Sequence, residues 1–145
     1  MPGFERVAQS GVRFTQAICA SPGCAPSRAA ILTGKCPWQL EEAGTHASLF
    51  PRKLTVYPEL LEKAGYFTGL TGKGAGPCNF SAAGWPHNPA GAAFPPDFDA
   101  FLQARGKNQP FCFWFGGKDP HRPYNPGSGV RTGKHLADIT VPPFL

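Results

Sequence analysis

Three stretches of this chain carry a proline near the start and a glycine at the stop: CAPSRAAILTG (24–34), YPELLEKAG (57–65) and PDFDAFLQARG (96–106). Proline suits the first turn of a helix, where its missing N–H costs nothing, and glycine takes the left-handed turn that ends one. Each stretch therefore predicts a short helix. The first runs from Pro26 through Ala29, Ala30, Ile31 and Leu32 to a stop at Gly34. The second has Pro58 near its start, Leu60, Leu61 and Ala64 inside, and Gly65 at the end. The third runs from Pro96 to Arg105 and stops at Gly106. Upstream, Phe4 to Ser10 reads as a helix end, with Phe4, Val7 and Ala8 on one face and Gly11 as the stop.

Strand-like runs lie between these helices. VRFTQAIC (12–19) alternates imperfectly, Val12, Phe14 and Gln16 on one side and Arg13, Thr15 and Ala17 on the other. YFTGLTG follows the second helix as a short strand. PFCFWFGG is a continuous apolar run, expected to be a strand buried on both faces. Gly72 to Pro96 is dense in Gly, Pro and Asn and reads as a long irregular loop, of the kind that is usually functional or mobile. The order helix, strand, helix, helix, strand, helix, strand is that of an α/β protein with a mainly parallel sheet. Such sheets bind ligands beyond the carboxyl ends of their strands. Three segments lie there: SPGCAPSR, GKGAGP and KDPHRPY.

Composition narrows the field. The 145 residues include 18 Gly and 17 Pro, well above the ordinary share of about 12% for the two together, so the chain is loop-rich. Twelve Phe and three Trp argue against disorder. The net charge of +5 suits an anionic ligand, but no Lys/Arg run is long enough for a nucleic-acid track. No apolar run has membrane-spanning length. No secretory leader is visible at the start. Five cysteines cannot all pair within the chain, and none stands at zinc-finger spacing.

Cys24 is the candidate for chemistry. Just before a helix, its sulfur would face backbone N–H groups and the positive end of the helix dipole, a setting that welcomes an anion. Arg28 adds a permanent charge and a planar fork suited to oxyanions. A cysteine-phosphatase loop would need its arginine six residues after the cysteine, where Ala30 stands. A G-x-x-x-x-G-K-[ST] nucleotide loop is also missing.

CAPSRAAILTG resembles the signature of type I sulfatases: C-x-P-S-R, three residues, then Leu-Thr-Gly. Its fixed elements are Cys24, Pro26, Ser27, Arg28, Leu32, Thr33 and Gly34. LLEKAGYFTGLTGKG resembles the second sulfatase signature, centred on Gly65, Tyr66, Thr68 and Lys73. PFCFWFGGKDPHRPY resembles the strand and turn that carry an active-site histidine, in a form most similar to the heparan N-sulfatase (sulfamidase) branch. The likeness covers essentially the whole chain. It implies an alkaline-phosphatase-like sulfatase fold, α/β with a mainly parallel sheet flanked by helices. Residues 1–145 would form an N-terminal part of the catalytic domain, with the first strand and the C-terminal part outside them.

The resemblance also implies a mechanism. Cys24 would be oxidised to formylglycine (3-oxoalanine) by a formylglycine-generating enzyme that reads Cys24, Pro26 and Arg28 in the extended chain. The hydrated aldehyde is a geminal diol: one hydroxyl attacks sulfur and the second drives sulfate out. Arg28 would stabilise the diol, Lys73 would hold a sulfate oxygen, and His121 would contact sulfate or protonate the leaving group. Calcium would polarise sulfate and diol, with Cys24, as formylglycine, as its one ligand here. Asp97, Asp99, Asp119 and Asp138 do not sit in the family's metal motifs, and Asp119 is expected to shape its turn. The substrate would be a sulfate ester or sulfamate, in particular on a sulfated sugar. Family habit points to the periplasm, the lysosome or secretion.

One departure and two alternatives accompany this expectation. Many sulfatases carry a histidine two residues after the lysine of the second signature, and here Ala75 stands there. His46 and His87 are further substrate-side candidates, against the ordinary expectation that a loop histidine makes a local hydrogen bond. The alternatives are a non-catalytic sulfated-glycan or anion-binding module, and a phosphate or phosphonate ester hydrolase on the same fold.

Overall fold

Gly34 ends the first proline–glycine helix in the left-handed conformation (φ 67°), its N–H reaching back to the Ala30 carbonyl at 2.8 Å. The computed structural model describes residues 2–94, 97–118 and 121–144. In it α1 spans Pro2–Ser10 and α2 spans Cys24–Thr33. Helix α2 opens earlier than its proline suggests. Gly23 is the N-cap and Cys24 the first helical residue, rather than the residue before the helix. Pro26 is the third helical residue, not the first. It is tolerated because the first i→i−4 bond is made one residue later, by Ser27 N–H to the Gly23 carbonyl at 3.0 Å.

Helix α3 spans Tyr57–Lys63 and closes with a Schellman motif. Tyr66 N–H donates to Leu61 at 3.0 Å and Gly65 N–H to Glu62 at 2.9 Å, with Gly65 at φ 87°. The chain then enters β1, Phe67–Gly72, and crosses over through α4, Phe98–Ala104, to β2, Phe111–Gly116. The side chain of Asp97 caps α4 by accepting from Ala100 N–H at 3.1 Å. Pro96, the expected first residue of this helix, lies outside the described residues. The two strands pair in parallel from Phe67↔Phe111 to Gly72↔Gly116. A short helix α5, Ser128–Arg131, follows in a segment that is exposed almost throughout.

Helices cover both faces of this pair. On one face Phe101 of α4 is fully buried among Phe67, Phe94, Phe98, Phe111 and Phe113, with ring centroids 4.7–5.9 Å away. A Cβ on Gly69 would stand 2.7 Å from both Phe94 and Phe101, so the glycine makes room for these rings. On the other face Leu70 and Trp114 pack with Ala29, Leu32, Leu40, Phe50, Val56 and Trp85. Trp85 comes from the loop after β1. Its indole N–H donates to the Phe50 carbonyl at 2.8 Å, and its ring meets Phe50 edge-on at 5.6 Å. The loop is irregular, as expected, but it contributes to the core.

Two expectations are overturned. Residues 12–19 form no strand: Val12 and Phe14 are each 79% exposed and Ile18 is 94% exposed. A strand exists only with a ladder partner, and among the described residues none pairs with this segment. Strand β2 is not buried on both faces, since Phe115 is 77% exposed. Helix α4 covers Phe111 and Phe113 but does not reach as far as Phe115.

The aromatic face yields the first prediction. Phe101→Ala removes a buried ring and leaves a cavity, at a cost of about 3–5 kcal/mol. Urea unfolding followed by tryptophan fluorescence checks this, and Phe101→Leu is expected to lose much less.

Candidate functional site

Because β1 and β2 run parallel, the segments that follow them leave at the same end of the sheet. The crossing there is close. Lys73 N–H donates to the Gly116 carbonyl at 2.8 Å. A Cβ on Gly72 would collide with that carbonyl, and one on Gly116 with the Lys73 carbonyl. Gly72 also takes φ 71°, a conformation that costs glycine little. The two glycines thus let the backbone of Lys73 lie across the end of β2.

Helix α2 is tied to this crossing by Arg28. Its Nη1 donates to the carbonyls of Lys73 at 2.7 Å and Gly74 at 2.9 Å. The Trp114 indole N–H reaches the same Lys73 carbonyl at 3.0 Å, and the guanidinium carbon lies 5.8 Å from the Trp114 ring centroid. The turn that follows is held by Asn88, whose Oδ1 accepts from the N–H groups of Ala75 and Ala90, both at 3.0 Å.

Beyond the strand ends lie two adjoining cavities of about 500 and 550 Å³. Cys24, Lys73 and His121 line both. Ser27, Arg28, Trp114, Lys118 and Tyr124 border the first, and His46, Pro77 and Asn88 the second. Arg28, Lys73 and Lys118 bring positive charge, and no carboxylate is among the described lining residues. The first turn of α2 adds to this. Ser27 makes the first helical bond, so the amides of Cys24 and Ala25 precede the ladder, while Pro26 has no N–H. Cations and a helix N-terminus on one concave surface suit an oxyanion.

The structure therefore brings Cys24, Ser27, Arg28, Lys73 and His121 together from three separate segments. Pro26, the remaining residue expected to form part of a modification motif, is buried and lines neither cavity. His121 lies in an exposed turn, its Nδ1 3.1 Å from the Arg122 carbonyl and its N–H on the Lys118 carbonyl at 2.8 Å. Asp119 lies outside the described residues. Asp97, Asp99 and Asp138 do not line either cavity.

His46 and His87 part company. His87 has its Nδ1 3.0 Å from the Asn88 carbonyl and lines neither cavity. His46 has its Nδ1 3.8 Å from Cys24 Sγ. Ala75, where many relatives of the motif carry histidine, is buried in the core at 1% exposure. Asn88 and Trp114 are the positioning residues that sequence reasoning missed. The Asn88–Pro89 dipeptide was the available signal for Asn88, since Asn-Pro marks a turn in which the side chain caps a nearby amide. Of the other cysteines, Cys19 borders the first cavity, and burial pushes the Cys78 thiol up, away from reactivity. Among the described residues no group of three or more His, Cys, Asp or Glu stands together as a metal site.

The family model described as Sulfatase matches residues 1–83. An N-acetylglucosamine-6-O-sulfatase of Bacteroides thetaiotaomicron is 33% identical over 86% of this chain and 27% of its own length. Human arylsulfatase D is 30% identical over 72% of the chain and 22% of its own length. A solved structure described as BT4656 in complex with its substrate D-glucosamine-2-N,6-O-disulfate superimposes with a TM-score of 0.62. It is 28% identical, and the match covers 83% of this chain and 30% of that one. The chain thus spans about a quarter of the length of these curated relatives. The structural match is that of an alkaline-phosphatase-like sulfatase fold, of which these residues make up a part.

Asn88→Ala leaves the Ala75 and Ala90 amides without their acceptor, at a cost of about 1–3 kcal/mol. Urea unfolding is expected to show that loss in Asn88→Ala and most of it recovered in Asn88→Asp, which keeps the accepting oxygen.

Proposed function

The chain belongs to the sulfatase family, and we propose that it carries the nucleophile-bearing cleft of an enzyme that hydrolyses a sulfate ester or sulfamate on an amino sugar. One observation supports this above the rest: Cys24, Arg28, Lys73 and His121, far apart in sequence, share one cleft lined by cations. The modification motif and the cleft coincide at the first turn of α2.

Cys24 is proposed to be converted to formylglycine by a modifying enzyme that uses dioxygen, and the hydrated aldehyde supplies a hydroxyl nucleophile and a second hydroxyl that permits sulfate release. The chain's own residues do the rest. Arg28 is anchored through Nη1 on two carbonyls, which keeps its charge at the rim beside residue 24. Lys73 neutralises a sulfate oxygen, and the leading amides of α2 donate to the charge that develops in the transition state. His121 donates a hydrogen bond to the sulfate or to the departing atom of the sugar. Pro26 is buried and helical in the folded chain. A modifying enzyme that reads Cys24, Pro26 and Arg28 therefore acts before α2 docks.

Calcium is the metal the family resemblance implies. A hard dication takes six to eight oxygen ligands. Among the described residues no group of three or more His, Cys, Asp or Glu stands together to supply them.

The proposed substrate class is a sulfated glucosamine. An N-acetylglucosamine-6-O-sulfatase and a structure bound to a doubly sulfated glucosamine are among the similar proteins, and the DPHRPY turn resembles the sulfamidase branch. An N-sulfoglucosamine end is therefore the substrate we expect to be turned over best.

In the full-length polypeptide expressed with the modifying enzyme, Cys24→Ala is expected to reduce sulfate release by at least about 10⁴-fold. The tryptic peptide 14–28, which contains Cys19 and Cys24, is expected to weigh about 18 Da less than its thiol form, with the change localised to residue 24. Undiminished turnover in Cys24→Ala, or an unconverted thiol in active enzyme, would sink the proposal.

A further inference from the structure

One part of the cleft's lining has no role in the mechanism above: His46, Gly76 and Pro77 border the second cavity, and among these three only His46 carries a side chain able to bond an anion. Its Nδ1 lies 3.8 Å from Cys24 Sγ. Its ring borders the same cavity as Lys73 and His121.

The His46 turn is fastened on both sides. Thr45 N–H and Oγ1 bond the Glu42 carbonyl at 3.0 and 2.9 Å, and Thr45 Oγ1 meets Ser48 Oγ at 2.6 Å. Ala47 N–H donates to the Pro77 carbonyl at 3.2 Å, and Asn79 N–H to the Ser48 carbonyl at 2.8 Å. Between these anchors Ala47 adopts φ 56°. A non-glycine residue in the left-handed region is uncommon and costs free energy, and it persists where the surroundings fix it. The strained residue directly follows His46, and the anchors on either side hold the imidazole in the cleft. Ala75 is buried in the core and lines neither cavity.

We propose that His46 is a catalytic residue of this cleft that donates a ring N–H hydrogen bond to the sulfuryl group, or to the atom it leaves, while residue 24 attacks. The proposal rests on the reading of the cleft as a sulfate site. It adds a second histidine to His121, which lines the same cavity.

The test uses the full-length polypeptide, expressed with the modifying enzyme and assayed with 4-nitrophenyl sulfate and N-sulfoglucosamine. His46→Ala and His46→Phe both remove the donor, and the phenylalanine keeps the volume. Each is expected to lower kcat/KM by about 10²-fold, the usual cost of one transition-state donor. His46→Gln, which keeps an N–H donor, is expected to recover part of that loss. Conversion of residue 24, read from the peptide mass, is expected to be unchanged in all three. So is the melting temperature without sulfate. Added inorganic sulfate is expected to raise the melting temperature of the parent and of His46→Gln more than that of His46→Phe. Turnover and sulfate response of His46→Phe equal to the parent's would overturn the role of His46. If Cys24→Ala retained turnover, the sulfatase reading itself would fail, a distinct result.

Discussion

One carbonyl oxygen holds the cleft together. The C=O of Lys73 accepts from the Arg28 guanidinium of α2 and from the Trp114 indole of β2, while Arg28 also reaches the carbonyl of Gly74. Helix, strand and turn therefore meet at a single point, all of them half-buried. A half-buried carbonyl that loses its donor pays most of its desolvation penalty, so the three elements are coupled. Both of these bonds leave one guanidinium nitrogen, Nη1, so a single arm of Arg28 ties α2 to the turn after β1. The residue that braces the scaffold is also the one that brings positive charge to the first turn of α2, so support and chemistry are not separable at Arg28.

This arrangement depends on backbone shape before it depends on side chains. Gly72 and Gly116 sit opposite each other at the end of the parallel pair, and a Cβ on either would strike the partner's backbone. With both absent, Lys73 crosses the end of β2 and its side chain faces the cavity that α2 borders. Gly69 plays a matching part on the other face, where Phe94 and Phe101 occupy the space a side chain would fill. The long loop after β1 then folds back as packed structure, with Trp85 in the core and Asn88 fixing the turn at Gly74 and Ala75.

The elements that were legible in the sequence are those whose signals are local. Proline and glycine marked α2 and α3, where Gly34 and Gly65 take the left-handed turn, whereas α4 ends at Arg105 in an extended conformation without the left-handed glycine expected at Gly106. The strands at 67–72 and 111–116 were legible from apolar runs. Residues 12–19 had the alternation of a strand without its partner, and alternation cannot supply one. The extent of burial of β2 was misjudged for the same reason, because a hydrophobic run does not say how far its cover extends. At the site, Cys24, Arg28, Lys73 and His121 were legible as motif positions that follow strands or open helices. His46 and His87 were named together as candidates, and nothing near either in sequence tells which one meets the cleft; Asn88 and Trp114 were missed, since their partners lie far along the chain.

The sequence by itself determined where helices α2, α3 and α4 lie, though not their limits, and the parallel α/β class, because turn formation and strand propensity act over a few residues. Only the tertiary structure decided which side chains share the cleft. His46 meets Cys24 across 22 residues, and Arg28 meets Lys73 across 45. Such contacts depend on the path of the chain between the partners. That path is set by core packing around Leu70, Phe50 and Trp85 and by the glycine crossing at the strand ends, neither of which is written in the residues that finally touch.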